Sequence, residues 1–141
     1  MIDFYLGNTA VPASKIFSAF LAEGALINLM KPVPVKAPLE NKSLADNGKE
    51  VIVNDEFPLL LDERDVTLEI IIKADTQEDM LMYWKRMMSI IQSGIVTLKT
   101  TLEPDVIYHL VYKDCTQLRT YFRGIAKFQI KFNEPNPANR T

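Results

Sequence analysis

Alternation dominates the second half of the chain. Val66, Leu68, Ile70, Ile72 and Ala74 alternate with Thr67, Glu69 and Lys73, the period of a strand with one buried face. Ile71 breaks the polar phase, so some cover is expected on that face too. Asp75-Thr76 ends the strand, and Thr76 with Asp79 three residues on resembles a capping box that opens a helix over 77–93. Met80, Trp84, Met87, Met88 and Ile91 make one stripe of that helix, and Gly94 stops it. Three more strands are predicted. Over 95–102, Val96, Leu98 and Leu102 point inward, and Glu103-Pro104-Asp105 turns the chain. Over 106–113, Val106, Tyr108, Leu110 and Tyr112 share a face, with a turn at 114–118. Over 121–132, Phe122, Gly124, Ala126, Phe128, Ile130 and Phe132 oppose Arg123, Lys127, Gln129 and Lys131. Residues 133–141 read as an extended, uncovered tail.

The first third is less regular. Ser14 is expected to cap a short helix in which Ile16, Phe17, Phe20 and Leu21 share a face, with Gly24 ending it. The prolines of Lys31–Pro38 block helix and favour extended backbone. Asn47-Gly48 is the strongest turn signal in the polar stretch Glu40–Glu50. Residues 31–56 are therefore expected to form a long exposed loop or arm. The core order is strand, helix, strand, strand, strand, with short turns that favour antiparallel pairing. This predicts an α+β domain, a sheet with one wet face and a helix across the other.

A length of 141 residues suits one domain, 1–141. A formal net charge of −2 provides no basic field, so no nucleic-acid partner is expected. The single Cys115 excludes an intrachain disulfide and a Cys-rich zinc site. The apolar stretch Ile16–Met30 is broken by Glu23 and Gly24 and falls short of the roughly 20 residues of a spanning helix. Asp3 stands where a signal peptide would carry positive charge. A soluble, non-secreted protein without membrane insertion is expected.

Candidate chemistry is sparse. Asp62-Glu63-Arg64-Asp65 reads as the charged approach to a strand, where Asp62, Glu63 and Asp65 act as gatekeepers between two apolar runs. His109 is the only histidine, on the polar phase of its strand, and has no metal-ligand spacing to Cys or carboxylate. A His109–Cys115 pair lacks any local signature. Met80–Met88 reads as helix packing, with Met82 and Tyr83 off the stripe and able to meet a neighbour. No phosphate loop, nucleophile elbow or HExxH occurs. No catalytic residue, metal or cofactor is assigned.

The run Glu63–Thr100 followed by "YFRGIAKFQIKFNEPNP" resembles the N-terminal domain of siphophage distal tail proteins and related prophage tail components. The shared pattern is Arg64, Asp65, Val66 and Leu68 on one strand, then a helix, then Gly94 and Leu98, then a long strand ending at Phe132 and Pro137, with Pro135 also present. The segment Asn47–Val51 resembles the stretch before that first strand. The resemblance spans 47–137, and "GNTAVPASKIF" has no counterpart. It implies a β-sandwich or split barrel with one flanking helix and a structural role in a virion tail, after synthesis in the bacterial host cytoplasm. Partners would be other tail proteins and copies of itself, assembled as rings at the tail tip or stacked in the tube. Subunit contacts would involve Arg64, Asp65, Met82, Tyr83, Asn47 and Gly48, with Arg64 pairing with a neighbour's carboxylate. The carbohydrate-binding extension of some such proteins is lacking, which argues against direct receptor binding. Two alternatives stand beside this reading. One is a small α+β ligand-binding domain or enzyme using His109, Asp65 and Tyr112. The other is an adaptor of a bacterial contractile system.

Overall fold

The computed structural model describes residues 1–35, 39–42, 49–52, 60–120 and 124–141, with the main chain alone for 39–42, 49–52 and Thr120. Asn47 and Gly48 lie outside the described residues. The longest unbroken register joins β5 (Arg64–Lys73) to β8 (Ile125–Glu134), antiparallel from Arg64↔Glu134 to Lys73↔Ile125. Both strands alternate without a break. Arg64, Val66, Leu68, Ile70 and Ile72 are buried on β5, and Ala126, Phe128, Ile130, Phe132 and Glu134 on β8. Polar side chains take the opposite face, as the sequence predicts.

Around this ladder lie β7 (Tyr108–Thr120), β6 (Ile95–Thr100), β1 (Phe4–Leu6) and β2 (Ala19–Leu21). The six-stranded order is β1-β6-β7-β8-β5-β2, antiparallel throughout. The α+β class holds. The pairing gives an open sheet, not a closed barrel, and it establishes neither the sandwich nor the split barrel that was expected. One isolated bridge links Ile2, just ahead of β1, to Leu21 of β2. Within the expected loop 31–56, β3 (Leu39–Lys42) and β4 (Lys49–Ile52) pair as a separate two-stranded hairpin. Val35↔Leu61 bridges the base of that segment.

Helix α3 (Gln77–Ile91) starts as read: Thr76 Oγ1 accepts from the Asp79 N–H at 3.1 Å. Met80, Met87, Met88 and Ile91 are buried, and the Trp84 ring meets Phe128 edge-on with centroids 4.4 Å apart.

Four sequence expectations need correction. The Ser14-capped helix splits into α1 (Ala13–Ile16), strand β2 and α2 (Glu23–Met30). Pro12 is the α1 cap, while the Ser14 hydroxyl donates to Asp3, and Gly24 lies inside α2. Pairing of Ala19–Leu21 with Ile70–Ile72 overrides the local helical pattern, because it buries Ala19 and Leu21 and covers part of the β5 edge. Leu102 is 63% exposed, not inward: β6 ends at buried Thr100, whose Oγ1 accepts from the Glu103 N–H and starts the turn. No turn forms at 114–118. Instead β7 continues to Thr120 through register shifts between Tyr112 and Asp114 and between Cys115 and Gln117. The tail is not uncovered, since Asn133 and Glu134 belong to β8, Pro137 is buried, and the Ile107 N–H donates to the Arg140 carbonyl at 3.0 Å.

Gly124, with φ +83°, lies against the backbone just past the end of β5, and its carbonyl accepts from the Ala74 N–H at 2.7 Å. A Cβ there would stand 2.1 Å from the Ala74 carbonyl oxygen. Gly124→Ala should therefore cost more than the roughly 1–3 kcal/mol of a strained backbone alone. Gly94→Ala, where φ is +134° and the space is open, should cost only the backbone part. Urea denaturation of the two variants checks the order.

Candidate functional site

Alternation on β5 and β8 places Arg64 and Glu134 opposite each other on the buried face. Arg64 Nε donates to Glu134 Oε1 at 2.7 Å. Its Nη1 donates to the carbonyls of Lys31 at 2.9 Å and Asn28 at 3.3 Å, and its Nη2 to that of Leu29 at 2.8 Å. The guanidinium thus closes the C-terminus of α2, where carbonyls lack intrahelical partners and carry partial negative charge. Arg140 returns from the tail and grips Glu134 twice, Nε to Oε2 at 3.1 Å and Nη2 to Oε1 at 3.0 Å. Its guanidinium lies 4.9 Å from the Tyr108 ring centre. The Tyr108 hydroxyl donates to Glu103 Oε2 at 3.2 Å. The bonds to Glu134 push Arg140 still further up, and burial, with Glu103 beside it, raises the Tyr108 phenol. The cluster ties β5, β7, β8, α2 and the tail together. Arg64 thus meets a carboxylate of its own chain.

Asp65 points the other way. Its Oδ1 accepts from Asn133 Nδ2 at 3.1 Å, and its Oδ2 meets Lys113 Nζ at 3.0 Å and Lys131 Nζ at 3.7 Å. The Asn133 and Lys113 hydrogen bonds hold its carboxyl below the usual range. Glu69 and Lys127, at 2.9 Å, form the next rung of this charged outer face. Met82 is 38% exposed on α3, while Tyr83 packs partly against the core. The described interface candidates are thus spread over three surfaces. His109, Asp65 and Tyr112 do not converge either. His109 faces outward opposite Thr97, Tyr112 faces inward opposite Phe132, and Asp65 is held by Lys113 and Asn133. Cys115 lies on the inward phase opposite Ile130, away from His109, and burial pushes its thiol up. Among the described residues no group of three or more His, Cys, Asp or Glu is placed to hold a metal. No described helix is long and apolar enough to cross a membrane.

The feature that sequence reasoning missed is a stretch of strand edge with no strand beside it among the described residues. β6 pairs only with Tyr108–Val111, yet β7 runs on to Thr120 with β8 on its other side. Tyr112, Cys115 and Leu118 line the inward phase of this extension, and Leu118 is 55% exposed. The two register shifts hid the strand by breaking its alternation.

No protein-family model matches the chain, and no curated protein matches it in sequence. Among solved structures, the Dit protein of phage SPP1 is similar in fold, with a TM-score of 0.62 at 13% identity. It is described as a paradigm of the hub adsorption apparatus in phages that infect Gram-positive hosts. The match covers 95% of this chain and 50% of that one, so the chain spans half the length of the tail protein it resembles. The chain thus shares the fold of part of that tail protein.

Arg64→Ala should cost about 3–5 kcal/mol, because it takes one of two guanidiniums from a buried carboxylate and leaves the end of α2 without its donor. Asp65→Asn, on the wet face, should leave the denaturation midpoint nearly unchanged. Tyr108 adds a pH signature. Its folded pKa is raised from an ordinary value of 10.0, so its contribution is complete below pH 10 and is lost as pH rises through the folded value. Tyr108→Phe should flatten the alkaline fall in stability, measured as denaturation midpoints on both sides of pH 10.

Proposed function

We propose that the chain is a structural component of a phage tail that acts by docking to neighbouring tail subunits, both other tail proteins and copies of itself. The observation that carries this reading is the fold likeness to the SPP1 tail hub protein over nearly the whole chain. The finished particle would hold it in the virion tail, after synthesis in the host cytoplasm. Its work is association, and no catalytic step is assigned to it.

The geometry suggests how docking proceeds. An unpaired strand edge presents a row of main-chain donors and acceptors that another strand can complete. A two-stranded hairpin by itself is marginal in water. The β3–β4 hairpin stands apart from the main sheet, and the β7 edge beyond Val111 has no strand beside it among the described residues. On this reading the 31–56 segment is an arm, and the hairpin of one copy docks at the β7 edge of the next. Such a contact joins unlike surfaces and closes by rotation into a ring.

The test is assembly. Sedimentation at rising concentration should show a discrete oligomer, seen as rings by negative-stain electron microscopy. Leu118→Asp should abolish it while the monomer's stability shifts by no more than about 0.5 kcal/mol, as expected of an exposed site. A chain that stays monomeric alone and with other tail proteins would refute the reading.

A further inference from the structure

The β7 edge beyond Val111 carries a residue pattern that is complementary to itself. Against β8, Asp114, Gln117 and Arg119 lie on the outward phase, opposite Lys131, Gln129 and Lys127. Cys115 and Leu118 lie on the inward phase, opposite Ile130 and Phe128. In an unbroken strand two residues three apart face opposite ways. Cys115 and Leu118 share a face because Thr116 is skipped in the β8 register.

That shift of phase permits a specific pairing. A two-fold axis normal to the sheet, between Thr116 and Gln117, sets the β7 of a second copy alongside and antiparallel. Asp114 then stands opposite Arg119 of the second copy, and Arg119 opposite its Asp114. On the inward side Cys115 stands opposite Leu118, and Leu118 opposite Cys115. Thr116 meets Gln117 in both directions, so the bulge in each edge is matched by the bulge in its mate. Every pair joins two residues of the same face, which is what an antiparallel ladder requires. The span fits too. Thr120 of the second copy reaches Lys113, clear of Val111 where the β6 pairing stops.

Charge favours a second copy as the occupant. The neighbouring carboxylates of the outer face are already paired, Asp65 with Lys113 and Lys131, and Glu69 with Lys127. Asp114 and Arg119 are both exposed, and neither has an ion-pair partner among the described residues. The same two-fold operation gives each of them an opposite charge and covers Leu118, which is 55% exposed.

We propose that two copies of this chain pair β7 to β7 over 113–120, with Asp114–Arg119 ion pairs on the outer face and Cys115–Leu118 contacts on the inner one. The interface stands independently of the tail reading. In an assembled particle, an arm docked at this edge takes the place of the second copy.

Sedimentation equilibrium of the full chain, kept reduced, should show a dimer. Asp114→Arg alone and Arg119→Asp alone each set like charges opposite one another twice, and each should weaken the dimer about tenfold. The double variant Asp114→Arg/Arg119→Asp restores both pairs, and its affinity should return to within about threefold of the original. Leu118→Cys places a thiol opposite the native Cys115 of the second copy, at a spacing that a disulfide accepts, so mild oxidation should give a covalent dimer. The same substitution combined with Cys115→Ser should give none. A chain that is monomeric at every concentration, single variants that dimerise as well as the original, a double variant that does not recover, or cross-linking that persists without Cys115 would each overturn the proposal.

Discussion

Glu134 has no exposed surface, and it is held by two guanidiniums that arrive from different directions. Taking a carboxylate out of water costs several kcal/mol, and only well-placed partners offset that cost. Arg64 is such a partner only if β5 and β8 keep their register. A slip of β5 by one residue would bring Asp65 inside and send Arg64 into water. Arg140 is such a partner only if the tail folds back. The apolar faces of the two strands make a slip costly, and the buried ion cluster at their ends penalises it further.

The same cluster explains how the β5 edge is covered. β2 pairs with Ile70–Ile72 only. Below it, α2 takes over: the Ala22 N–H donates to the Glu69 carbonyl, and Asn28 Nδ2 to the Thr67 carbonyl. Arg64 then binds the end of that helix. A strand edge that could recruit another chain is thus satisfied within the molecule. The β7 edge receives no comparable cover among the described residues. That contrast between a sealed edge and an open one gives the docking proposal its direction.

Much of the core was legible. Strands β5 and β8 and helix α3 follow from uninterrupted periodicity and one capping pair, so local and tertiary preferences agree there. The candidate site was less legible. Arg64 at the head of a strand looks exposed in sequence, because nothing local announces Glu134 seventy residues away or the end of α2. β7 looks shorter in sequence than it is because two bulges shift its inward phase from Tyr112 to Cys115 and Leu118. The spacing between Ser14 and Gly24 fits a helix, and only pairing with a distant strand makes Ala19–Leu21 extended. Each miss comes from a non-local contact that a window of neighbouring residues does not contain.

On the proposed reading, function and this illegibility have one cause. Strand addition works through main-chain hydrogen bonds, which ask of the side chains little more than alternation and the absence of proline. A docking edge can then be preserved in shape while its residues vary. The residues that cannot vary freely are those that hold the edge in place. They include Gly124 against Ala74 just past the end of β5, the Arg64–Glu134–Arg140 cluster at the other end of the ladder, and the Trp84–Phe128 contact between them. These are internal, and they set the geometry of a surface that they do not touch.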